Sequence, residues 1–170
     1  MITKLLLALS LLAIEARGQS LYVYSQILFL KSNGNLLEVK RVPYGSFFYG
    51  YDIVDSNTVF YAYDDRQGEA SATLAVFDLK NQHETIVKKS LGGVGETNFT
   101  YNSSNHLLLF NWIGGIYVSP LFPFAPRLIV KCQTAWAPTW VDPQQFSYTD
   151  VQSEKIQTRK MATVLAKDLQ

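Results

Sequence analysis

The sequence holds one cysteine, two histidines and no dense run of charge of either sign. With Cys132 alone, no disulfide can form within the chain. This excludes the small secreted scaffolds held by bridges and leaves packing as the source of stability. Cys132 follows Leu128-Ile-Val-Lys131 and has no histidine near it in sequence. It therefore reads as an inert thiol in or beside a strand, although in an exported chain an odd cysteine could pair with a second chain. A formal charge of +1 gives no net field to recruit nucleic acid or anionic lipid, and the scattered lysines read as a solvated surface. Gly-x-Ser-x-Gly, His-Glu-x-x-His, a phosphate-binding glycine loop and Cys-x-x-Cys are all absent. His83 and His106 each follow turn residues and read as surface or turn side chains. On these absences the expectation is no catalytic residue, no metal ligand and no cofactor.

What is present points to strands. A chain of 170 residues with 48% apolar and 17% charged side chains is long enough for one domain with a real core and too apolar to be disordered. Aromatics make up 14%, with ten Tyr and ten Phe, and these favour half-buried pleated surfaces. The first eighteen residues stand apart. Met1 to Lys4 carries one positive side chain, Leu5 to Ile14 is an apolar run interrupted only by Ser10, and Glu15-Ala-Arg-Gly18 has small residues at Ala16 and Gly18. This is the layout of a secretory signal peptide over residues 1–18 with cleavage after Gly18, despite the charges of Glu15 and Arg17. The run is too short to span a bilayer comfortably, so no stable membrane insertion is expected once the signal is removed. The expected location is secreted or periplasmic.

Beyond it the chain alternates short strand-forming runs with turns. Leu21 to Tyr24 and Ile27 to Leu30 precede Asn33-Gly34, and Leu36 to Val42 follows. Asn-Gly between two such runs predicts a type I′ hairpin, because both central residues need positive φ. Four runs then cover Ser46 to Ile53, Val59 to Tyr63, Ala72 to Leu79 and Glu84 to Lys89. After the glycine-rich Leu91-Gly-Gly-Val-Gly95 come Thr97 to Tyr101, His106 to Trp112, Gly115 to Leu121 and Arg127 to Lys131. A last unit starts at Ala137 and runs through Phe146 to Val151, and Ile156 to Leu169 could be a further strand or a helix. The body is all-β.

Three segments share one pattern of aromatic, polar turn and aromatic-rich strand. They are Tyr51 to Tyr63, Tyr101 to Phe110, and Trp140 to Tyr148. Tyr101 follows Tyr51 by 50 residues and Trp140 follows Tyr101 by 39, and periods of roughly 40–50 residues built from strands suggest propeller blades. The blade-like units fall at about 20–43, 44–91, 92–134 and 135–170. At roughly 45 residues per blade, residues 19–170 hold between three and four blades, fewer than an ordinary closed ring needs. The expected fold is an array of three to four antiparallel four-stranded blades, incomplete or open, whose free edges favour self-association or a protein partner.

The repeated segments resemble TolB-like and WD40-like propeller repeats, which place an aromatic before a short Ser-Pro-Asp-Gly type turn and then an apolar strand. Pro138-Thr-Trp140-Val-Asp142-Pro143 before Phe146-Ser-Tyr148 is the nearest match. Tyr101 to Asn105 before Leu107 to Phe110 comes next, and Tyr51 to Phe60 third. None of the three turns carries the Asp-Gly pair. Such families include periplasmic binding partners, peptidase propeller domains and sugar lyases, so the resemblance implies a fold and leaves function open.

Candidate sites are few. Asp64, Asp65 and Glu69 share one loop with Arg66 and Gly68. They read as a solvated loop, or as a cation or ligand site, without the alternating spacing of a calcium loop. Trp112, Phe122 and Phe124 lie, with Trp136 and Trp140, in an aromatic stretch broken by prolines. That stretch reads as blade-to-blade packing or, at Leu121 to Phe124, as a recognition surface. Asn98-Phe-Thr100 and Asn102-Ser-Ser104 are N-glycosylation acceptor sequences that overlap the proposed inner strand. Together these features suggest a secreted, non-catalytic binding module. The alternatives are the propeller portion of a peptidase or polysaccharide lyase, and a truncated product without independent function.

Overall fold

The computed structural model describes residues 14–16, 18–65, 71–93 and 98–161; of residues 14–16 only the backbone is described. Most of the proposed signal, the loop positions Arg66, Gly68 and Glu69, the connector residues Val94 and Gly95, and the chain beyond Met161 lie outside the described residues.

Among the described residues the strands form four antiparallel sheets, each a meander in chain order. The first holds β1 (Ile14–Ala16), β2 (Gln19–Tyr24), β3 (Ile27–Ser32) and β4 (Asn35–Arg41). The second holds β5 (Phe48–Asp55), β6 (Thr58–Asp64), β7 (Ser71–Asp78) and β8 (His83–Gly92). The third holds β9 (Phe99–Asn102), β10 (Leu107–Trp112), β11 (Gly115–Pro120) and β12 (Arg127–Lys131). The fourth holds β13 (Ala135–Asp142), β14 (Gln145–Asp150) and β15 (Lys155–Lys160). The ambiguous segment after Val151 is thus a strand as far as Lys160, because Ser147 and Thr149 on β14 find ladder partners in Thr158 and Ile156.

Turn chemistry explains the meanders. Asn33 and Gly34 take φ of 50° and 80°, as the type I′ hairpin requires, and Ser32 pairs with Asn35 across it. The three repeated aromatic segments each close on an Asx turn. The Asp55 carboxylate accepts from the Asn57 N–H (2.8 Å), Asn102 Oδ1 from the Ser104 N–H (2.9 Å), and the Asp142 carboxylate from the Gln144 N–H (2.7 Å). A short acceptor side chain two residues before a free N–H replaces the Asp-Gly turn of the typical repeat.

The sheets stack face to face. Alternating residues of β6 serve two interfaces: Val59 and Tyr61 pack toward Leu21, Leu28 and Leu30 of the first sheet, while Phe60 and Ala62 pack toward Phe99, Leu108 and Phe110 of the third. Burial on both faces accounts for the unbroken apolar runs in β6 and β7. The third and fourth sheets meet through Leu109, Ile116 and Val118 against Phe146, Tyr148 and Met161. The array is open. Tyr22 and Phe29 stack on the outward face of the first sheet at 5.6 Å, and that of the fourth carries Ser147, Thr149 and Thr158 beside Trp136 and Ile156.

Candidate functional site

The first strands of the second, third and fourth sheets, β5, β9 and β13, lie side by side. They enclose a groove of about 510 Å³ lined by residues 48–52, 98–101 and 139–140. Close approach is built into the backbone. A Cβ at Gly50 would run into the Phe99 carbonyl oxygen, so only glycine lets β5 and β9 come this near. The leading aromatics of the three repeats, Tyr51, Tyr101 and Trp140, all line this groove. The repeat that builds the sheets therefore also furnishes their common inner surface.

Polar groups fasten the walls. Asp52 accepts from the Ile53 N–H at 2.9 Å and, across the sheets, from the Tyr101 N–H at 3.2 Å. Burial pushes its carboxyl up to about 6, against the lowering pull of those two bonds. Burial also raises the phenols of Tyr51 and Tyr101. On the other wall the Trp140 indole N–H donates to the Thr100 carbonyl at 3.3 Å, and its ring meets Phe146 edge-on at 6.4 Å. The Thr100 hydroxyl is buried without a hydrogen-bond partner.

Asn98 and Asn102 stand at either end of β9. Their amide nitrogens donate toward the Pro138 and Asp142 carbonyls at 3.5 and 3.4 Å, and Asn105 donates to the Pro143 carbonyl at 2.8 Å. These amides tie the third sheet to the fourth, and any glycan on Asn98 or Asn102 would be attached to one of these bridging nitrogens.

The other candidates fall elsewhere. Asp64 is fully buried at the end of β6, with its N–H donating to the Phe47 carbonyl. The Asp65 carboxylate turns inward and accepts hydroxyls from Ser71 (2.9 Å), Thr73 (2.5 Å) and Ser90 (2.9 Å). Burial pushes its carboxyl up, but the three hydroxyls outweigh this and hold it below the ordinary value. It ties the β6–β7 turn to β7 and β8. Trp112 and Phe124 come together in a second cavity of about 580 Å³ with Val87, Lys88, Ser90 and Pro126. Trp112 donates to the Gly92 carbonyl at 2.8 Å, and Phe124 stacks on Phe110 at 6.0 Å. Both are therefore partly packed between sheets, whereas Phe122 is 58% exposed. His83 and His106 are exposed, and Cys132 lies within 3.4 Å of the Thr134 hydroxyl. No group of three or more His, Cys, Asp or Glu suited to hold a metal occurs among the described residues, and no helix there is long and apolar enough to cross a membrane.

Sequence reasoning missed Asp52 and Thr139 altogether and gave Thr100 no role at the groove. A signal existed for Asp52, a lone charge inside the strand run Tyr49 to Val54. Its backbone partner, 49 residues away, did not show in sequence.

The chain matches no family model and no curated protein sequence. Solved structures do resemble it. A chain of the nidogen/laminin complex superposes with a TM-score of 0.61 at 11% identity, over 86% of this chain and 57% of that one. Oligogalacturonate lyase in complex with manganese gives 0.60 at 14% identity, over 84% and 43%. A putative TolB from Agrobacterium tumefaciens gives 0.53 at 14%, over 84% and 57%. The fold is that of a β-propeller. This chain spans 57% or less of each of these propeller structures, and its four sheets are blades of an incomplete one. The propellers it resembles include both enzymes and a TolB protein, so the likeness establishes architecture alone.

Proposed function

We propose that this chain is a secreted or periplasmic, non-catalytic propeller module that binds its ligand in the groove between β5, β9 and β13. The observation that carries this reading is the convergence of Tyr51, Tyr101 and Trp140 with Asp52, Asn98, Thr100 and Thr139 around one cavity of about 510 Å³. Aromatic walls with a few fixed polar groups, in a concavity of that size, are the usual make-up of a recognition site. Both Asp52 oxygens hold backbone N–H groups, which suits a fixed wall better than a proton shuttle. Residues 1–18 support export through their charged start, apolar run and small-residue end. Cleavage after Gly18 would remove β1 and leave β2 as the first strand of its blade. A second copy of the chain is the proposed protein partner, meeting the open faces where Tyr24 and Ile156 are 61% and 76% exposed.

The test is a ligand screen on the full chain by NMR, with amide shifts mapped onto the fold. Ligands clustering at Tyr51, Asn98, Thr139 and Trp140, and lost on Trp140→Ala, support the reading. Ligands mapping only elsewhere, or turnover of a peptide or polysaccharide by the chain itself, overturn it. Terminal sequencing of the exported protein checks the leader.

A further inference from the structure

Resting on the binding reading above, we propose that the groove takes an organic cation, an alkylammonium or a guanidinium, seated on the Asp52 carboxylate between β5 and β9 and beside the aromatic residues that line the groove. Three observations converge. Asp52 lines the cavity, yet among the described residues its hydrogen bonds come only from the Ile53 and Tyr101 N–H groups; a carboxylate offers about four acceptor directions, so two are left over among them. None of the described side chains lining the groove is a Lys, Arg or His, so the carboxylate has no counter-charge within the wall. The remaining lining combines six aromatic residues, of which Phe48, Tyr51 and Trp140 are only partly buried, with Gly50 and the uncharged Asn98, Thr100 and Thr139. Aromatic faces attract cations more strongly where water is excluded. A buried carboxylate without a cation is costly, and a ligand that brings one relieves that cost. A neutral ligand of the same size can bring only an uncharged donor to Asp52, which makes a weaker bond, and an anionic one is repelled.

The rise of the Asp52 carboxyl to about 6 is the expected mark of burial without a counter-charge. The other titratable side chains among the described groove residues are Tyr49 and Tyr51 on β5 and Tyr101 on β9, whose hydroxyl lies 3.3 Å from the His106 ring and which feels both Asp52 and Asp55. From β13 the groove is lined by Thr139 and Trp140, which do not ionise in this range.

Titration calorimetry of the full chain with agmatine, n-butylammonium and neutral n-butanol tests the proposal. The cations are expected to bind at least tenfold more tightly than butanol. Their affinity should rise about tenfold between pH 5 and 7 as Asp52 ionises. Asp52→Asn should abolish both the preference and the pH dependence, and the wild-type pH series decides the matter even if that variant folds poorly. Comparing free agmatine with an N-acetylated, C-amidated arginine peptide tells a small metabolite-like cation from a protein side chain. Cations binding no better than butanol, or equally well at pH 5 and 7, overturn the cation. If neutral ligands still map to the groove and are lost on Trp140→Ala, the binding module stands without it. If nothing maps there, both fall.

Discussion

Lowering the pH from 7 to 5 is expected to stabilise the fold, and the gain is expected to vanish in Asp52→Asn. Asp52 is held between β5 and β9 by the Ile53 and Tyr101 N–H groups. Burial raises its carboxyl from 3.8 to about 6. The folded state therefore holds this proton more tightly than the unfolded chain does. Below both values the carboxyl is neutral in either state and costs nothing. As the pH rises from about 4 to about 6, the unfolded chain ionises first and stability falls; above about 6 the loss is complete. A shift of roughly two units amounts to about 3 kcal/mol in total. Integrated between pH 7 and 5, the gain on acidification is about 1.3 kcal/mol. Urea denaturation should show this as a midpoint higher by about 0.5–1 M at pH 5. Asp65, Asp78 and Asp150 are shifted the other way. Their stabilisation is lost only as the pH falls below the ordinary aspartate value, so it survives at pH 5. The Asn variant keeps one acceptor oxygen and cannot ionise, which separates Asp52 from every other group titrating in the window. A wild-type midpoint that is flat or falls from pH 7 to 5, or a rise of equal size in the variant, would refute the reasoning.

Other perturbations give expected outcomes of their own. Trp140→Ala removes a half-buried ring packed on Phe146 and a hydrogen bond to Thr100, and should cost about 2–3 kcal/mol in chemical denaturation; a cost under about 1 kcal/mol would mean the ring does not hold the fourth sheet. Gly50→Ala sets a Cβ against the Phe99 carbonyl and should destabilise by about 1–3 kcal/mol, with protection of β9 amides from hydrogen exchange falling first. Asp65→Ala strands the Ser71, Thr73 and Ser90 hydroxyls and should cost about 1–3 kcal/mol, whereas Phe122→Ser at an exposed position should stay within about 0.5 kcal/mol.

The strands were legible because their cause is local. Period-two alternation, Asn33-Gly34 and the acceptor side chains of Asp55, Asn102 and Asp142 each act within a few residues, so a linear reading recovers them. The groove was not legible, because its chemistry depends on stacking between blades. Asp52 reaches Tyr101 across 49 positions, and Asn98 and Asn102 each reach their carbonyls across 40. The surroundings of Asp65 were not legible for the same reason: the hydroxyls that hold its carboxylate come from positions 6, 8 and 25 residues later.

Tyr51, Tyr101 and Trp140 show why the repeat could not by itself separate structure from site. Each opens a blade-like segment, so each occupies the strand nearest the place where neighbouring blades converge. An aromatic there covers the inter-sheet core with one edge: Tyr51 packs against the first interface, Tyr101 within the second and Trp140 against the third. The same residues line the groove. A periodicity maintained by packing thus produces an aromatic-lined concavity as a geometric consequence, whether or not a ligand uses it. What packing does not require is a carboxylate without a counter-charge in that wall. Asp52 does tie β5 to β9 through the Tyr101 N–H, but an uncharged acceptor such as Asn could make that contact, and burial works against the charge. It is this residue, more than the repeated aromatics, that makes the groove a candidate for recognition.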